Sequence, residues 1–89
     1  MSEDTKVTIE NQLDGTDITI SVGEGETIAN VIKKLYQKLG RDRQKDDRLF
    51  CLASGGDVFQ YAAMKIKEYI KEGLCQNLVW VFAGKPGGA

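Results

Sequence analysis

The chain contains no histidine, and this absence removes several kinds of chemistry at once. A serine or cysteine nucleophile is commonly activated by a neighbouring histidine, and imidazole is the commonest metal ligand in proteins. The glycine-rich stretches "GEGE" and "SGGD" also lack the GxxxxGK[ST] spacing of a phosphate-binding loop. We therefore expect a protein that is not an enzyme and that needs neither a metal nor another cofactor.

Cysteine is scarce as well, since Cys51 and Cys75 are the only two in the chain. They lie far apart in the sequence and form no C-x-x-C motif, which gives no sign of a metal or redox site. Two isolated cysteines are most simply interpreted as free thiols of an intracellular domain. Cys51, within "RLFCLAS", is expected to pack as a small apolar side chain. The prediction is a cytoplasmic protein.

Long apolar runs are also missing, and none approaches the roughly 20 residues that a membrane-spanning helix requires. The first residues, "MSEDTK", are polar and acidic, unlike a secretory signal peptide. The formal net charge is −1, so the chain has no general attraction for nucleic acid or for an anionic membrane. We expect the 89 residues to form a single domain. We expect neither nucleic acid nor a membrane among its partners.

Charge is unevenly distributed along the chain, although it nearly cancels overall. Residues 1–26 carry seven acids and one base, whereas residues 33–48 carry seven bases and three acids. Two interpretations of the basic segment remain open: a solvated helix end and loop, or a docking edge for an acidic partner. The adjacent Asp46 and Asp47 in this segment are expected to be solvated.

Two stretches of alternating apolar and polar residues open the chain. "KVTIENQ" and "DITISV" each place every second residue on an apolar face, which predicts strands at about residues 5–12 and 16–22. The Asp14-Gly15 pair between them is typical of a hairpin turn, because glycine readily adopts the positive φ that such a turn needs. An antiparallel hairpin is therefore predicted.

An amphipathic helix is predicted over residues 28–39, where apolar residues recur at steps of three and four. Thr27 precedes it as an N-cap whose hydroxyl can accept a hydrogen bond from a backbone N–H of the first turn. Gly40 follows it as the glycine that ends the helix. The lysines of this segment fall on the side that we expect to face solvent.

The second half of the chain predicts shorter elements. "RLFCLAS" predicts a third strand at about residues 48–53, "VFQY" a short fourth strand, and "AAMKIKEYIKEG" a second, shorter helix that ends at Gly73. "NLVWVFA" is the last strand, and the only proline, Pro86, follows it. A hairpin, a crossover helix and a returning strand predict an α+β fold in which a mixed sheet packs on one main helix, the β-grasp.

Three stretches of the chain resemble the ubiquitin-like family: "DITISVGEGETIANVIKKLYQKLG", "RLFCLASGG" and "LVWVFAGKPGG". The resemblance covers nearly all of residues 6–88, and its most specific part is the Thr-Ile-x-Asn-Val start of the helix. It implies a ubiquitin-like β-grasp domain over residues 6–83. Residues 1–5 would then be a disordered N-terminus and residues 84–89 a flexible diglycine tail.

The resemblance gives the tail a function, because ubiquitin-like modifiers end in Gly-Gly and their precursors often carry residues beyond it. Gly87 and Gly88 match that pattern, and Ala89 looks like an extension that a processing peptidase removes. An activating enzyme would then adenylate the carboxylate of Gly88, pass it to a thiol as a thioester, and so prepare it for attack by an amine of a target protein. Glycine has no Cβ, so such a tail fits a narrow channel and its carbonyl stays open to attack.

Other interpretations of the tail and the fold remain open. A β-grasp sulfur carrier would use the same tail as a thiocarboxylate at Gly88, a non-conjugated interaction module would use only its sheet face, and the tail could also be idle. One departure bears on activation: modifiers of the ubiquitin type carry an arginine just before the tail, where this chain has Gly84.

The resemblance also implies a patch that binds partners on the sheet. If the last strand turns its valines to the helix, Trp80 and Phe82 face solvent beside Phe50 on the third strand. Exposed aromatic residues on a small domain mark interaction surfaces, and tryptophan is frequent among the residues that dominate binding. The competing interpretation is that the segment 57–73 folds over these rings and covers them.

Overall fold

The computed structural model describes residues 5–84. The helices and strands follow one another in the order β1 (Thr5–Asn11), β2 (Thr16–Val22), α1 (Ile28–Leu39), β3 (Arg48–Cys51), α2 (Ile66–Lys71) and β4 (Val79–Ala83), with 3-10 turns at Phe59–Tyr61 and Gln76–Leu78. The hairpin, α1, α2 and the last strand are where the sequence predicts them, to within a few residues. The predicted domain bounds stay a prediction, because most of both predicted tails lies outside the described residues.

The described strands form one mixed sheet in the order β2-β1-β4-β3. β1 and β2 are an antiparallel hairpin in which Val7 is opposite Ile20. β1 and β4 run parallel in the middle of the sheet with Ile9 opposite Trp80, and β3 lies antiparallel to β4 on the far side. A hairpin followed by a crossover helix and a returning parallel strand is the β-grasp that the sequence predicts.

Helix α1 buries an apolar stripe against the inner face of this sheet. At its start the Thr27 hydroxyl accepts a hydrogen bond from the Asn30 N–H at 3.2 Å, and at its end Gly40 has φ 68°. Both predicted caps are confirmed. The buried stripe, spaced at three and four residues, comprises Ile28, Val31, Ile32 and Leu35.

The segment between β3 and β4 completes the N-terminal end of α1. The carbonyls of Met64 and Ala62 accept hydrogen bonds from the Ile28 and Ala29 N–H groups, each at 2.8 Å. These donors have no partner within the helix, because the first N–H groups of a helix find no carbonyl one turn earlier. The segment therefore docks on α1 through backbone hydrogen bonds as well as through its buried side chains.

The prediction of a short strand in "VFQY" is wrong, because residues 59–61 form a 3-10 turn. Val58 does extend the sheet locally, since its N–H donates to the Leu49 carbonyl at 2.8 Å. The chain then bends away from β3, and this bend carries it to the start of α1. Within residues 5–84, no helix is both long and apolar enough to cross a membrane.

Cys51 and Cys75 form a disulfide, so the expectation of two free thiols is wrong. The bond joins the end of β3 to the segment after α2, two places that meet only in the folded chain, which is why sequence spacing does not reveal it. Cys51 is fully buried, as predicted, and Cys75 is 7% exposed. The argument for a cytoplasmic location from free thiols no longer holds, and the location stays a prediction.

Candidate functional site: the outer sheet face and the end of β4

Two of the three residues predicted to form the partner-binding patch lie in the core. Trp80 and Phe82 are 0% exposed and belong to the apolar cluster between the sheet and the helices. The expectation that they face solvent is therefore wrong. Phe50 is half-buried on the opposite, outer face of the sheet. The competing interpretation is correct for Trp80, since Tyr69 of the segment 57–73 packs edge-on against it with ring centres 5.8 Å apart.

The error lies in the phase of the alternation along β4. The stretch "LVWVFA" is apolar at every position, so its pattern does not say which residues face the helix. The parallel pairing with β1 decides the question, because Ile9 faces α1 and is directly opposite Trp80. Residues opposite each other on neighbouring strands share a face of the sheet, and Trp80 therefore points inward.

The burial of Trp80 leaves one polar atom unpaired. Among the described residues its indole N–H has no hydrogen-bond partner. The nearby phenol of Tyr69 is itself buried, and this burial raises the pKa of Tyr69. An aromatic pair of this kind serves the core, not a binding surface.

Val79 and Val81 face outward instead, and with Phe50 and Leu52 they form an apolar surface that we call the outer-face strip. Val81 is directly opposite Phe50. The Leu52 N–H donates to the Val79 carbonyl at 2.9 Å, which holds the end of the strip together. Val81 is covered, whereas Leu52 is 53% exposed, the highest value among the large apolar residues described.

Polar and charged residues border the outer-face strip on both sides. On the β1 side Glu10 is directly opposite Val81, and on the β3 side the Arg48 guanidinium lies 5.6 Å from the centre of the Phe50 ring. The exposed side chains of β2 extend this polar border. An apolar centre with a polar border is the usual composition of a surface that binds another protein.

The arginines of the basic segment pack on aromatic rings. The Arg43 guanidinium lies 3.8 Å from the centre of the Phe59 ring, and that of Arg41 lies 5.8 Å from the centre of the Phe82 ring. Together with Arg48 on Phe50, three of the seven bases of residues 33–48 make such contacts. Part of the segment is therefore structural, and a docking role for the rest stays a prediction.

A buried carboxylate lies where the chain leaves β4. The side chain of Asp47 is 0% exposed, so the expectation that it is solvated is wrong. The Tyr36 hydroxyl and the Gln44 N–H donate to its Oδ2 at 2.8 Å each, and Arg41 donates to its Oδ1 at 3.1 Å. We call these four residues the Asp47 hub. A buried charge is tolerated when it is paired and hydrogen-bonded in this way.

Gly84, the first residue after β4, lies against the Asp47 hub. A Cβ placed on Gly84 would lie 2.7 Å from Oδ1 of Asp47 and 3.6 Å from the Phe82 ring. The first of these distances is shorter than a side-chain carbon can tolerate. The hub therefore explains why glycine stands at this position, where modifiers of the ubiquitin type carry an arginine.

The Asp47 hub also changes the acidity of Tyr36. Burial, and then the hydrogen bond to the Asp47 carboxylate, raise the pKa of Tyr36 well above its ordinary value of 10.0. The positive charges of Arg43 and Arg41 offset only part of this. Tyr36 therefore stays protonated in the folded protein at pH values where an exposed tyrosine would ionise.

The remaining predicted site residues, Gly87, Gly88 and Ala89, lie outside the described residues. Within residues 5–84 no group of three or more aspartate, glutamate or cysteine residues is arranged to hold a metal ion. The described part of the candidate site consists of the outer-face strip and the exit of the chain beside Gly84.

Comparison with known proteins identifies the fold. No protein-family model matches the chain, and no curated protein matches it. Among solved structures, the solution structure of the UBL domain of yeast Ddi1 is similar, with a TM-score of 0.66 over 100% of this chain and 98% of that one. The fold is that of a ubiquitin-like domain. The sequence identity is 22%, so this similarity concerns the fold alone.

The contact between Gly84 and Asp47 predicts the effect of adding one methyl group at position 84. Gly84→Ala should lower the free energy of unfolding by about 1–3 kcal/mol, because the new Cβ forces the hub apart. Gly25→Ala is the matched control, since a Cβ there has no heavy atom within 4 Å and should leave stability nearly unchanged. The measurement is denaturant unfolding followed by circular dichroism. Equal stability of Gly84→Ala and wild type would contradict the contact.

The raised pKa of Tyr36 predicts a loss of stability in alkali. Above pH 10 the unfolded chain releases this proton more readily than the folded chain, so the contribution of Tyr36 is complete below that pH and is lost above it. Between about pH 8 and about pH 11 the wild type should lose more unfolding free energy than Tyr36→Phe. Tyr69 is present in both proteins, so its own contribution to the pH dependence cancels in the comparison. The unfolding free energy of both proteins is measured by urea titration at the two pH values. Equal losses in wild type and Tyr36→Phe would contradict the raised pKa of Tyr36.

Proposed function

We propose that the chain is a ubiquitin-like protein modifier, conjugated to target amines through Gly88 once Ala89 has been removed. The observation that supports this most is the position of the Gly87-Gly88 pair, a few residues beyond the strand that pairs with β1 in the middle of a ubiquitin-like sheet. A fold does not by itself imply a function. The proposal therefore depends on the chemistry that a Gly-Gly tail can carry out.

The proposed chemistry needs the chain only as the electrophile. An activating enzyme joins the carboxylate of Gly88 to AMP from ATP with release of pyrophosphate, and an enzyme thiol displaces AMP to form a thioester. A target amine then displaces the thiol and forms an amide. A cytoplasmic location belongs to this proposal, because the first step consumes ATP.

The position of Gly84 determines how far the tail can extend from the domain. An extended chain spans at most about 3.6 Å per residue, so Gly88 can lie up to about 14 Å beyond Gly84. This length suits an active-site channel that admits the glycines and excludes the body of the domain. The absence of an arginine at position 84 means that an activating enzyme must recognise another feature of this chain.

The outer-face strip supplies a feature of the domain that partners can recognise. Phe50 and Leu52 are accessible on it, and Glu10 and Arg48 border it with charges of opposite sign. The partners that we propose are an activating enzyme, a processing peptidase and target proteins. Neither nucleic acid nor a membrane is among them.

A second candidate function, a non-conjugated interaction module, is favoured by one specific observation. The outer-face strip is built entirely from β3, β4 and Leu52, all within the described domain, and does not depend on the tail. A domain that used only this surface would bind its partner with the last residues removed. A sulfur carrier, by contrast, requires the same tail as a modifier.

The experiment that tests the proposal compares three N-terminally tagged forms in cells of the source organism: the full chain, a form ending at Gly88 and a form ending at Pro86. We expect the first two to give adducts that resist boiling in denaturant, with mass spectrometry placing Gly88 on a lysine of another protein. The form ending at Pro86 should give none.

The same samples distinguish the alternatives. Sulfur in place of one oxygen at the Gly88 carboxylate would assign a sulfur carrier and contradict conjugation. The absence of covalent adducts from every form, with partner binding retained after removal of residues 87–89, would assign an interaction module. Leu52→Asp is the variant for that second case, because it should abolish binding while the tail remains intact.

A further inference from the structure

We propose that the Cys51–Cys75 disulfide is a redox switch for residues 74–78, which lead into β4 and which we call the α2–β4 connection. When the bond is formed the connection is held closed, and when it is reduced the connection opens while the sheet and α1 stay folded. The feature that suggests this is a difference in how the two halves of the segment between β3 and β4 are attached.

The first half of that segment is attached without help from the disulfide. Residues 62–66 exchange backbone hydrogen bonds of 2.8 Å with residues 26–29, including one from the Ile66 N–H to the Glu26 carbonyl. The side chains of Val58, Ile66 and Tyr69 are at most 1% exposed. This half should therefore remain docked when the disulfide is broken.

The α2–β4 connection is attached much less well. Glu72 and Gly73, just before it, are still bonded to α2, through hydrogen bonds of 2.9 and 3.0 Å to the Glu68 and Ile70 carbonyls. From Leu74 onward the hydrogen bonds are longer: the Leu74 N–H lies 3.4 Å from the Tyr69 carbonyl, and the Ser54 hydroxyl reaches the Leu74 carbonyl at 3.4 Å. The side chains of Leu74 and Leu78 are only partly buried against the core. Bonds of this length are weaker than those of 2.8 Å that hold the first half. The covalent bond at Cys75 is the strongest attachment that the connection has.

The connection also contains unfavourable backbone geometry. Asn77 has φ 65° and Leu78 has φ 51°, and they are the only residues other than glycine with positive φ in the described part of the chain. Leucine rarely adopts this region, because its Cβ comes close to the backbone there. Such a conformation persists only where its surroundings enforce it. Here the disulfide holds Cys75 on the N-terminal side of these two residues, and the pairing of β4 holds the chain on their C-terminal side.

The exposure of the two cysteines determines how the disulfide can be reduced. Cys51 is 0% exposed and Cys75 is 7% exposed, so Cys75 is the side more accessible to a dithiol reductant. Its thiolate attacks Sγ of Cys75, the S–S bond breaks, and Cys51 leaves as a thiolate that takes up a proton. The second thiol of the reductant then attacks the mixed disulfide, which releases Cys75 as a thiol and leaves the reductant oxidised by two electrons.

Opening of the connection would also affect the outer-face strip, because the disulfide lies beside one end of it. Cys51 lies between Phe50 and Leu52, and the Leu52 N–H is bonded to the Val79 carbonyl directly after the connection. Opening of the connection would therefore move one end of the outer-face strip. Disulfides in a reducing compartment are usually transient or redox-sensing, and a switch of this kind agrees with the proposed location. The switch itself does not depend on the proposed function.

The test is amide hydrogen exchange of the full chain, oxidised and after treatment with dithiothreitol. We expect the amides of residues 76–78 to exchange at least about tenfold faster after reduction, because the link to Cys51 no longer restricts the local opening that exposes them. The amides of β1, such as those of Val7 and Ile9, should remain the slowest and change less. The double variant Cys51→Ser/Cys75→Ser should match the reduced protein, and dithiothreitol should not affect it.

A variant that weakens the whole fold separates a switch from a simple structural cross-link. Val31→Ala removes buried side-chain volume from α1 far along the chain from the connection, and it should accelerate the slow core amides together. The proposal is overturned if reduction reproduces this uniform pattern, if it unfolds β1 as well, or if residues 76–78 exchange at the same rate in both redox states. Reoxidation should restore the slow exchange.

Discussion

The parallel pairing of β1 with β4 determines which side chains of β4 face the core and where the chain leaves the sheet. It sets Trp80 beside Ile9 and so sends both Trp80 and Phe82 into the core. Because side chains alternate along a strand, the same register sends Val79 and Val81 to the outer face. The pairing also fixes the place where the chain leaves the sheet. The outer-face strip and the exit at Gly84 are thus two consequences of one register.

Two further attachments complete the domain around this pairing. The Asp47 hub joins α1 to the loop after it through one buried carboxylate with donors on both oxygens. The ring of Tyr36 also packs edge-on against Phe82 near the end of β4, with ring centres 5.7 Å apart. The disulfide joins the end of β3 to the connection before β4. One attachment lies just after β4 and the other just before it, so the central strand is held in place at both ends. A chain of 89 residues has a small core, and such local attachments matter more in it than in a large protein.

The elements that depend on local physics could be predicted from the sequence. The hairpin follows from alternation and from Asp14-Gly15, and the bounds of α1 follow from its stripe, the Thr27 cap and Gly40. These signals come from residues close together in the chain, and the structure confirms them. The overall β-grasp also follows, because an order of hairpin, helix and returning strand has few compact solutions.

The features that depend on contacts between distant residues could not be predicted. The prediction of which β4 side chains face the helix was wrong, because the strand is apolar on both faces. Only its pairing with β1 shows which face is inward. Asp47 looked solvated beside other charged residues, yet its partners Tyr36 and Arg41 reach it from α1 and the following loop. The disulfide likewise joins residues that the sequence separates widely. For the candidate site, the sequence therefore identified Phe50 on the outer face but not the outward-facing valines or Leu52. The glycine pair stays a prediction.

The fluorescence of Trp80, the only tryptophan in the chain, tests the β1–β4 register most directly. The register places the indole wholly inside the core. The folded protein should therefore show an emission maximum strongly blue-shifted from that of the denatured chain, with little quenching by iodide. An emission maximum equal to that of the denatured chain, quenched as readily as free tryptophan, would place Trp80 on the outer face and contradict the register.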